Sequence, residues 1–200
     1  MNPYGKNELI SFYDRHLRDF GDHPQAVRWT PSGQMSRFEA LLTMAGDISG
    51  KKVLDFGCGK GDLYGFLAGR GIITRYTGID INSNMIELAS KKYPEASFSV
   101  VDIEEENISE KFDIIFACGV FNLLIAGIEE SMHRVLKKLY SLCRGAMHIN
   151  LLSYDIPARD PQLFYVRPLD ITGFTTKELS TDYMLRDDLV KGDLFLTIHR

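Results

Sequence analysis

Residues 51–63 read KKVLDFGCGKGDL: an acid, Asp55, closes an apolar run, and Gly57, Gly59 and Gly61 follow at alternate positions. Glycine adopts backbone angles closed to other residues and lets a ligand lie directly against the main chain. Further acids stand at comparable places, Asp80 in YTGIDI and Asp102 in FSVVDI. The P-loop pattern fails here, because Lys60 is followed by Gly61 where a Ser or Thr should hold magnesium. A dinucleotide turn needs GxGxxG, whereas the chain has GxGxG, and a pyrophosphate would meet Asp55 as a like charge. The ligand class left is one that carries positive charge near the turn.

These residues must be positioned by strands and helices, and from Lys51 onward the pattern alternates between the two. Strands are predicted at 51–56, 76–81, 96–102, 112–118 and 145–152, with helices near 62–69, 83–92 and 128–142. Near-continuous apolar strands joined by helices imply a parallel sheet covered on both faces. Ligands of such sheets sit beyond the carboxyl ends of the strands, where strand order reverses. Before this core, Ile10, Tyr13, Leu17 and Phe20 have helical spacing in 8–20, ended by Gly21 and Pro24. Ser32 offers a cap for a second helix bearing Met35, Phe38, Leu41 and Leu42. After the core, Thr175–Thr176 suggest a helix start, and STDYMLRDDL with GDLFLTIHR form a hairpin signal. The expected fold is a three-layer α/β sandwich with a seven-stranded mixed sheet, mostly parallel, with one antiparallel strand from the C-terminal hairpin. One domain is expected over 1–200: capping helices in 1–48, the ligand-binding core in 49–152, and a closing segment in 153–200.

Composition narrows the class. The 200 residues are 44% hydrophobic and 25% charged, as in ordinary globular proteins, and the formal net charge is −4. That argues against broad capture of nucleic acid or of an anionic membrane. Three cysteines without a CxxC pair suggest neither a disulfide framework nor a zinc site, and no metal is expected. With no cationic-then-apolar leader and no apolar stretch long enough to span a bilayer, a cytoplasmic location is expected.

The run VLDFGCGKG resembles the first motif of the class I S-adenosylmethionine-dependent methyltransferases, and the likeness extends over about residues 30–152 with the later motifs in register. The resemblance implies S-adenosyl-L-methionine as cofactor, with Asp55, Gly57, Cys58 and Gly59 around its methionine portion. It implies Asp80 on the ribose hydroxyls, Ile81 against adenine, Asp102 on the adenine amine beside Ile103, and the backbone of Cys118–Gly119 along the cofactor. A narrower likeness to small bacterial members lies in Gln-x-x-Arg-Phe, which puts Gln34 and Arg37 on the second helix; Arg37 could clamp the cofactor's carboxylate. Trp29 either walls the pocket or packs the core.

Such transfer is mainly a matter of positioning, with nucleophile, methyl carbon and sulfur nearly collinear at about 3 Å in a dry pocket. Candidate acceptor-side residues are Asn122 and Asn150, which line or follow strands, and His16, His23, Tyr13 and Tyr154 as general bases. His148, His133 and His199 look structural, and the run Glu104–Glu106 looks like a solvated helix start. Residues 153–175 add Phe164, Tyr165 and Phe174 with Arg159 and Arg167, suiting a carboxylated or aromatic acceptor. The chain has no [Asp/Asn]-Pro-Pro-aromatic after the fourth strand, no Pro-Cys, and no CxxxCxxC. A small-molecule acceptor is therefore expected. The alternatives are a protein or RNA methyltransferase, a cofactor-binding module without chemistry, and, more distantly, an NAD-dependent oxidoreductase.

Overall fold

Alternate side chains of a strand face opposite ways, and that rule splits the central strands into two cores. In the computed structural model, which describes residues 1–200, the strands are β1 (Lys52–Phe56), β2 (Arg75–Asp80), β3 (Ser97–Val100), β4 (Phe112–Cys118), β5 (Cys143–Leu152), β6 (Tyr183–Arg186) and β7 (Asp193–His199). Leu54, Ile115, Met147 and Leu196 pack on one face with Leu136 and Leu139. Val53, Phe116 and Phe195 pack on the other with Leu41 and Phe66. The helices that carry these partners are α2 (Pro31–Ala45) and α3 (Asp62–Gly69) on the second face and α5 (Ile128–Leu142) on the first.

All seven strands form one sheet in the order β3-β2-β1-β4-β5-β7-β6. Only β7 runs against its neighbours β5 and β6. The chain moves outward from β1 to β3 and then returns to β4 on the other side of β1. The carboxyl ends of β1 and β4 therefore flank the crevice where strand order reverses, with Asp55 opposite Gly78 on one side and Phe116 on the other. Two further helices complete the layers, α4 (Ser83–Lys92) and α6 (Pro168–Glu178), and α1 (Pro3–Phe20) precedes them all.

Several local expectations are corrected. The first helix begins at Pro3, not Glu8, because the side chain of Asn2 accepts from Gly5 N–H and Pro3 suits the first helical position. Thr30 caps α2 in place of Ser32; its hydroxyl accepts from Gly33 N–H at 3.0 Å, and Pro31 again opens the helix. Thr175 and Thr176 lie in the last turns of α6, not at its start, since Pro168 nucleates the helix seven residues earlier. The strand at 96–102 stops at Val100, and Glu104–Glu106 form a turn that starts no helix. Glu104 is not solvated: it binds the α-amino group of Met1, Ser131 Oγ at 2.9 Å and Arg134 Nε at 3.0 Å. No helix is long and apolar enough to cross a membrane.

Between β4 and β5 the pairing shifts register at Phe112/Ile114. There Gly145 faces the carbonyl oxygen of Asp113, and a Cβ on it would lie 2.5 Å from that atom. Strand backbone cannot swing aside as a side-chain tip can. Gly145→Ala is expected to cost about 1–3 kcal/mol, read as a lower urea midpoint with unchanged slope.

Candidate functional site

The crevice beyond β1, β2 and β4 holds a cavity of about 160 Å³, roofed by α1 and by a short 3-10 turn at Pro24–Val27. Its floor is the glycine turn. Gly57, Gly59 and Gly61 have φ of +70°, +53° and +79°, which L side chains rarely adopt. Gly57 and Cys58 both donate to Ile79 O, stitching the turn to β2. A Cβ on Gly57 would strike Val120 at 2.5 Å, whereas one on Gly59 would meet nothing nearer than Val27 at 3.8 Å. The main chain at Gly59 is thus bare toward the cavity.

Asp55 is 3% exposed and has a single partner, the Tyr76 hydroxyl, which donates to it at 2.5 Å. Burial, with Asp80 and Asp62 nearby, pushes its carboxyl up to about 7 against the opposing pull of the Tyr76 bond. Asp80 accepts from Gly59 N–H at 2.9 Å and Asn82 N–H at 2.8 Å. Burial raises it above its ordinary value, and those backbone bonds oppose the rise. Asp102, two residues past β3, accepts from Lys6 Nζ of α1 at 2.6 Å. Tyr13 also faces the cavity; burial and the charge of Asp80 push its phenol up to about 12, so it carries its proton at neutral pH.

The cavity wall gathers Asp55, Gly57, Cys58, Gly59, Asp80, Ile81, Asp102, Ile103, Cys118 and Gly119, with Gln34, Tyr13 and Trp29. Gln34 Nε2 donates to Asp62, which also binds Lys60 and Lys92; both lysines reach Asp22 at the end of α1.

Other candidates lie elsewhere. Arg37, expected at the cofactor's carboxylate, stands outside the wall, with its guanidinium spent on Asp193 through bonds of 2.6 and 2.8 Å. Asn150 is fully buried beside them and donates to Asp193 at 2.8 Å. Its position on β5, one strand beyond Cys118, puts it behind the wall. Tyr154 lines a second cavity with His133, Phe164, Tyr165 and Arg167, and the guanidinium groups of Arg159 and Arg167 each stack 4.0 Å from its ring. The aromatic and cationic residues of 153–175 thus gather there and not at the glycine turn. His16 stacks on Phe12 and contacts Phe12 O at 3.0 Å, outside the cavity. His148 is buried as expected yet only half satisfied, with Thr197 on Nδ1 and nothing on Nε2. Asn122 sits behind Gly119. Its Nδ2 would be 3.1 Å from a Cβ there, beside the Trp29 ring edge at 2.4 Å, and its Oδ1 is buried without a partner.

Sequence reasoning missed Tyr76, Lys6 and Lys60. No local pattern marks them. Lys6 meets an acid 96 positions away, and Tyr76 reads as an ordinary strand residue until β2 is laid beside β1.

The sheet order, the glycine turn at the switch point and the acid ending β2 define the class I, Rossmann-like S-adenosylmethionine-dependent methyltransferase fold. Residues 53–144 match the methyltransferase domain family. Among curated relatives, a malonyl-[acyl-carrier protein] O-methyltransferase of Priestia megaterium is 35% identical over 96 residues, covering 47% of this chain and 33% of that protein. The chain spans half or less of the length of the first curated relatives it matches. Magnesium protoporphyrin IX methyltransferase from Synechocystis PCC 6803, solved with S-adenosylhomocysteine bound, superimposes with a TM-score of 0.68 at 18% identity, covering 98% of this chain and 99% of that one. The N-methyltransferase NodS from Bradyrhizobium japonicum WM9 gives 0.69 at 18% identity, covering 96% and 97%. At this identity the two structures establish likeness of fold.

Two outcomes test the charges. Arg37→Met leaves Asp193, 1% exposed, without its cation and should cost about 3–5 kcal/mol in chemical denaturation. Asp55 has a folded pKa above its unfolded one, so its contribution to stability is whole below about pH 4 and is lost as pH rises through about 7. Asp55→Asn should remove that decline, worth at most about 1.4 kcal/mol per pH unit across the window. His148, lowered by burial to about 4, acts in the opposite sense: its contribution is present above pH 6.5 and lost as pH falls through about 4. Denaturation of Asp55→Asn and the unsubstituted protein, each at pH 5 and pH 8, isolates Asp55.

Proposed function

We propose that the protein is an S-adenosylmethionine-dependent methyltransferase acting on a small-molecule acceptor in the cytoplasm. One observation carries the cofactor assignment: Asp55, buried, and Asp80, half-buried, stand at the glycine turn with no protein cation bonded to either. A buried carboxylate without a counter-charge is costly, and a ligand bearing ammonium and sulfonium groups supplies that charge where a pyrophosphate would worsen the repulsion. The bare backbone at Gly59 and the free lone pairs of Asp80 fit the same ligand.

In this proposal Asp80 takes the ribose hydroxyls, Asp55 faces the cationic methionine portion, and the main chain from Gly57 to Gly59 lies along it. Asp102, already held by Lys6, takes the adenine amine between Ile81 and Ile103. Once bound, S-adenosylmethionine supplies an electrophilic methyl group whose departure leaves the electron pair on sulfur. The chain's own part is to position and to dry the site: α1, Tyr13 and Trp29 close it from above, which favours a small acceptor. Residues 1–48 cap the site and 49–152 hold the cofactor. The three free cysteines support a reducing compartment.

Calorimetry tests the cofactor. S-adenosylhomocysteine should bind, Asp80→Ala should weaken it at least tenfold, and NADH should not compete; NADH binding without S-adenosylhomocysteine binding would favour an oxidoreductase. A screen for S-adenosylhomocysteine release over small molecules, peptides and RNA separates an enzyme on small molecules from the other methyltransferases and from a silent module. Because a cation favours ionised Asp55, affinity for S-adenosylmethionine should fall as pH drops below about 7, with proton release on binding there. Buffers of different ionisation heat would show it.

A further inference from the structure

Of the 18 residues in α1 only Gly5 is buried; the others are half-buried or exposed. Over the turn after β2 the helix is held by two amides. Asn82 Nδ2 donates to Asp14 Oδ1 at 2.9 Å and to Ile10 O at 3.4 Å, and Asn84 Nδ2 donates to Asp14 Oδ1 at 2.9 Å. The backbone N–H of the same Asn82 donates to Asp80 Oδ1 at 2.8 Å. Ile10 stands three and four positions before Tyr13 and Asp14, so the three share a face of the helix. These bonds therefore seat Tyr13 over the Asp80 turn. Tyr13 and Asp80 both line the cavity, and both are half-buried.

Two α1 side chains in the cavity wall carry polar groups, Lys6 and Tyr13. Lys6 is spent on Asp102 and Glu105. The Tyr13 phenol feels burial and the charges of Asp80 and Arg28, with no hydrogen bond to either. Four polar side-chain atoms are sealed from solvent without partners, on Arg28, Asn122, His148 and Asn150. Tyr13 Oη is not one of them, so its unspent O–H opens on accessible space. Edge-on packing against Phe12, with 5.3 Å between ring centroids, fixes the ring. Across the cavity, each oxygen of Asp80 accepts one backbone N–H, from Gly59 and from Asn82, and keeps a lone pair. A carboxylate able to accept and a phenol able to donate thus face one space without touching.

We propose that Tyr13 is a ligand-dependent latch of α1: one ribose hydroxyl of the cofactor donates to Asp80 and accepts from Tyr13 Oη, so the bound nucleoside itself holds the helix closed. The proposal rests on the methyltransferase assignment and adds a specificity-determining residue to its cofactor site. A hydroxyl both donates and accepts, whereas an ammonium group could answer Asp80 but has no lone pair for Tyr13. Hydrogen bonds linked in this way polarise one another. A nucleoside lacking that hydroxyl leaves phenol and carboxylate both unanswered, which a site built around them rejects. With so little of α1 anchored in the core, this one bond bears on whether the helix stays down.

The test uses the full chain with S-adenosylhomocysteine and its 2′-deoxy and 3′-deoxy forms, read by calorimetry. Tyr13→Phe removes one oxygen and keeps the ring, and should weaken S-adenosylhomocysteine about fivefold. One deoxy form should bind the unsubstituted protein at least about fivefold more weakly. Tyr13→Phe should weaken that form by less than about twofold, because its partner hydroxyl is already gone. Trypsin reads the helix itself at Arg15 and Arg18, both exposed on α1. Saturating S-adenosylhomocysteine should slow cleavage there in the unsubstituted protein, and much less in Tyr13→Phe. Equal affinity of the three ligands for the unsubstituted protein, an equal effect of Tyr13→Phe on all three, or equal protection of the two proteins would overturn the latch. Absence of S-adenosylhomocysteine binding to the unsubstituted protein would overturn the methyltransferase assignment and the latch with it; binding without dependence on Tyr13 overturns the latch alone.

Discussion

A carboxylate held out of water with only a phenol for a partner is the constraint around which the cavity is organised. Asp55 is the penultimate residue of a central strand, between apolar Leu54 and Phe56, and parallel pairing with β2 and β4 buries it at the cavity wall. The surrounding cations are committed elsewhere: Lys6 to Asp102 and Glu105, Lys60 and Lys92 to Asp22 and Asp62, Arg37 to Asp193. Negative charge is therefore concentrated at the turn.

The roof follows the same economy of charge. The α1 helix turns Leu9, Ile10 and Tyr13 into the cavity, and polar ties hold it along its length. Lys6 binds near its start, Asp14 accepts from Asn82 and Asn84 near its middle, and Asp22 takes two lysines just past its end. These ties run to the turns after β1, β2 and β3, which are the segments that carry the glycine turn and the acids. Helix and floor are thereby coupled through charge pairs, and apolar packing fills the space between them.

Much of this was legible residue by residue. The alternation of apolar runs and helices predicts the seven strands, the single antiparallel strand and the helical layers, because burial on two faces leaves an unbroken apolar stretch. The acids at 55, 80 and 102 and the glycines between them stand out because each defies its local apolar context. Element edges were harder: Thr30 and Pro31 out-compete Ser32 as a helix start, and Pro168 out-competes Thr175, since a fixed φ at the first turn outweighs a later cap. Arg37 and Asn150 looked like site residues because both are polar in apolar surroundings. A buried partner on β7, Asp193, explains them equally well, and nothing near Arg37 announces it.

What the amino-acid order alone determined is the set of local conflicts and periods: which segments must be strands, where the chain turns on glycine, and which carboxylates sit where burial penalises them. These are properties of neighbours within a few positions. Only the tertiary structure decided who answers those charges, because pairing energies depend on distance in space and the partners lie tens to more than a hundred residues apart. Lys6 with Asp102, Arg37 with Asp193 and Arg28 with Asp160 were joined by the strand order, which folds the amino-terminal helices and the later segments of the chain against one sheet.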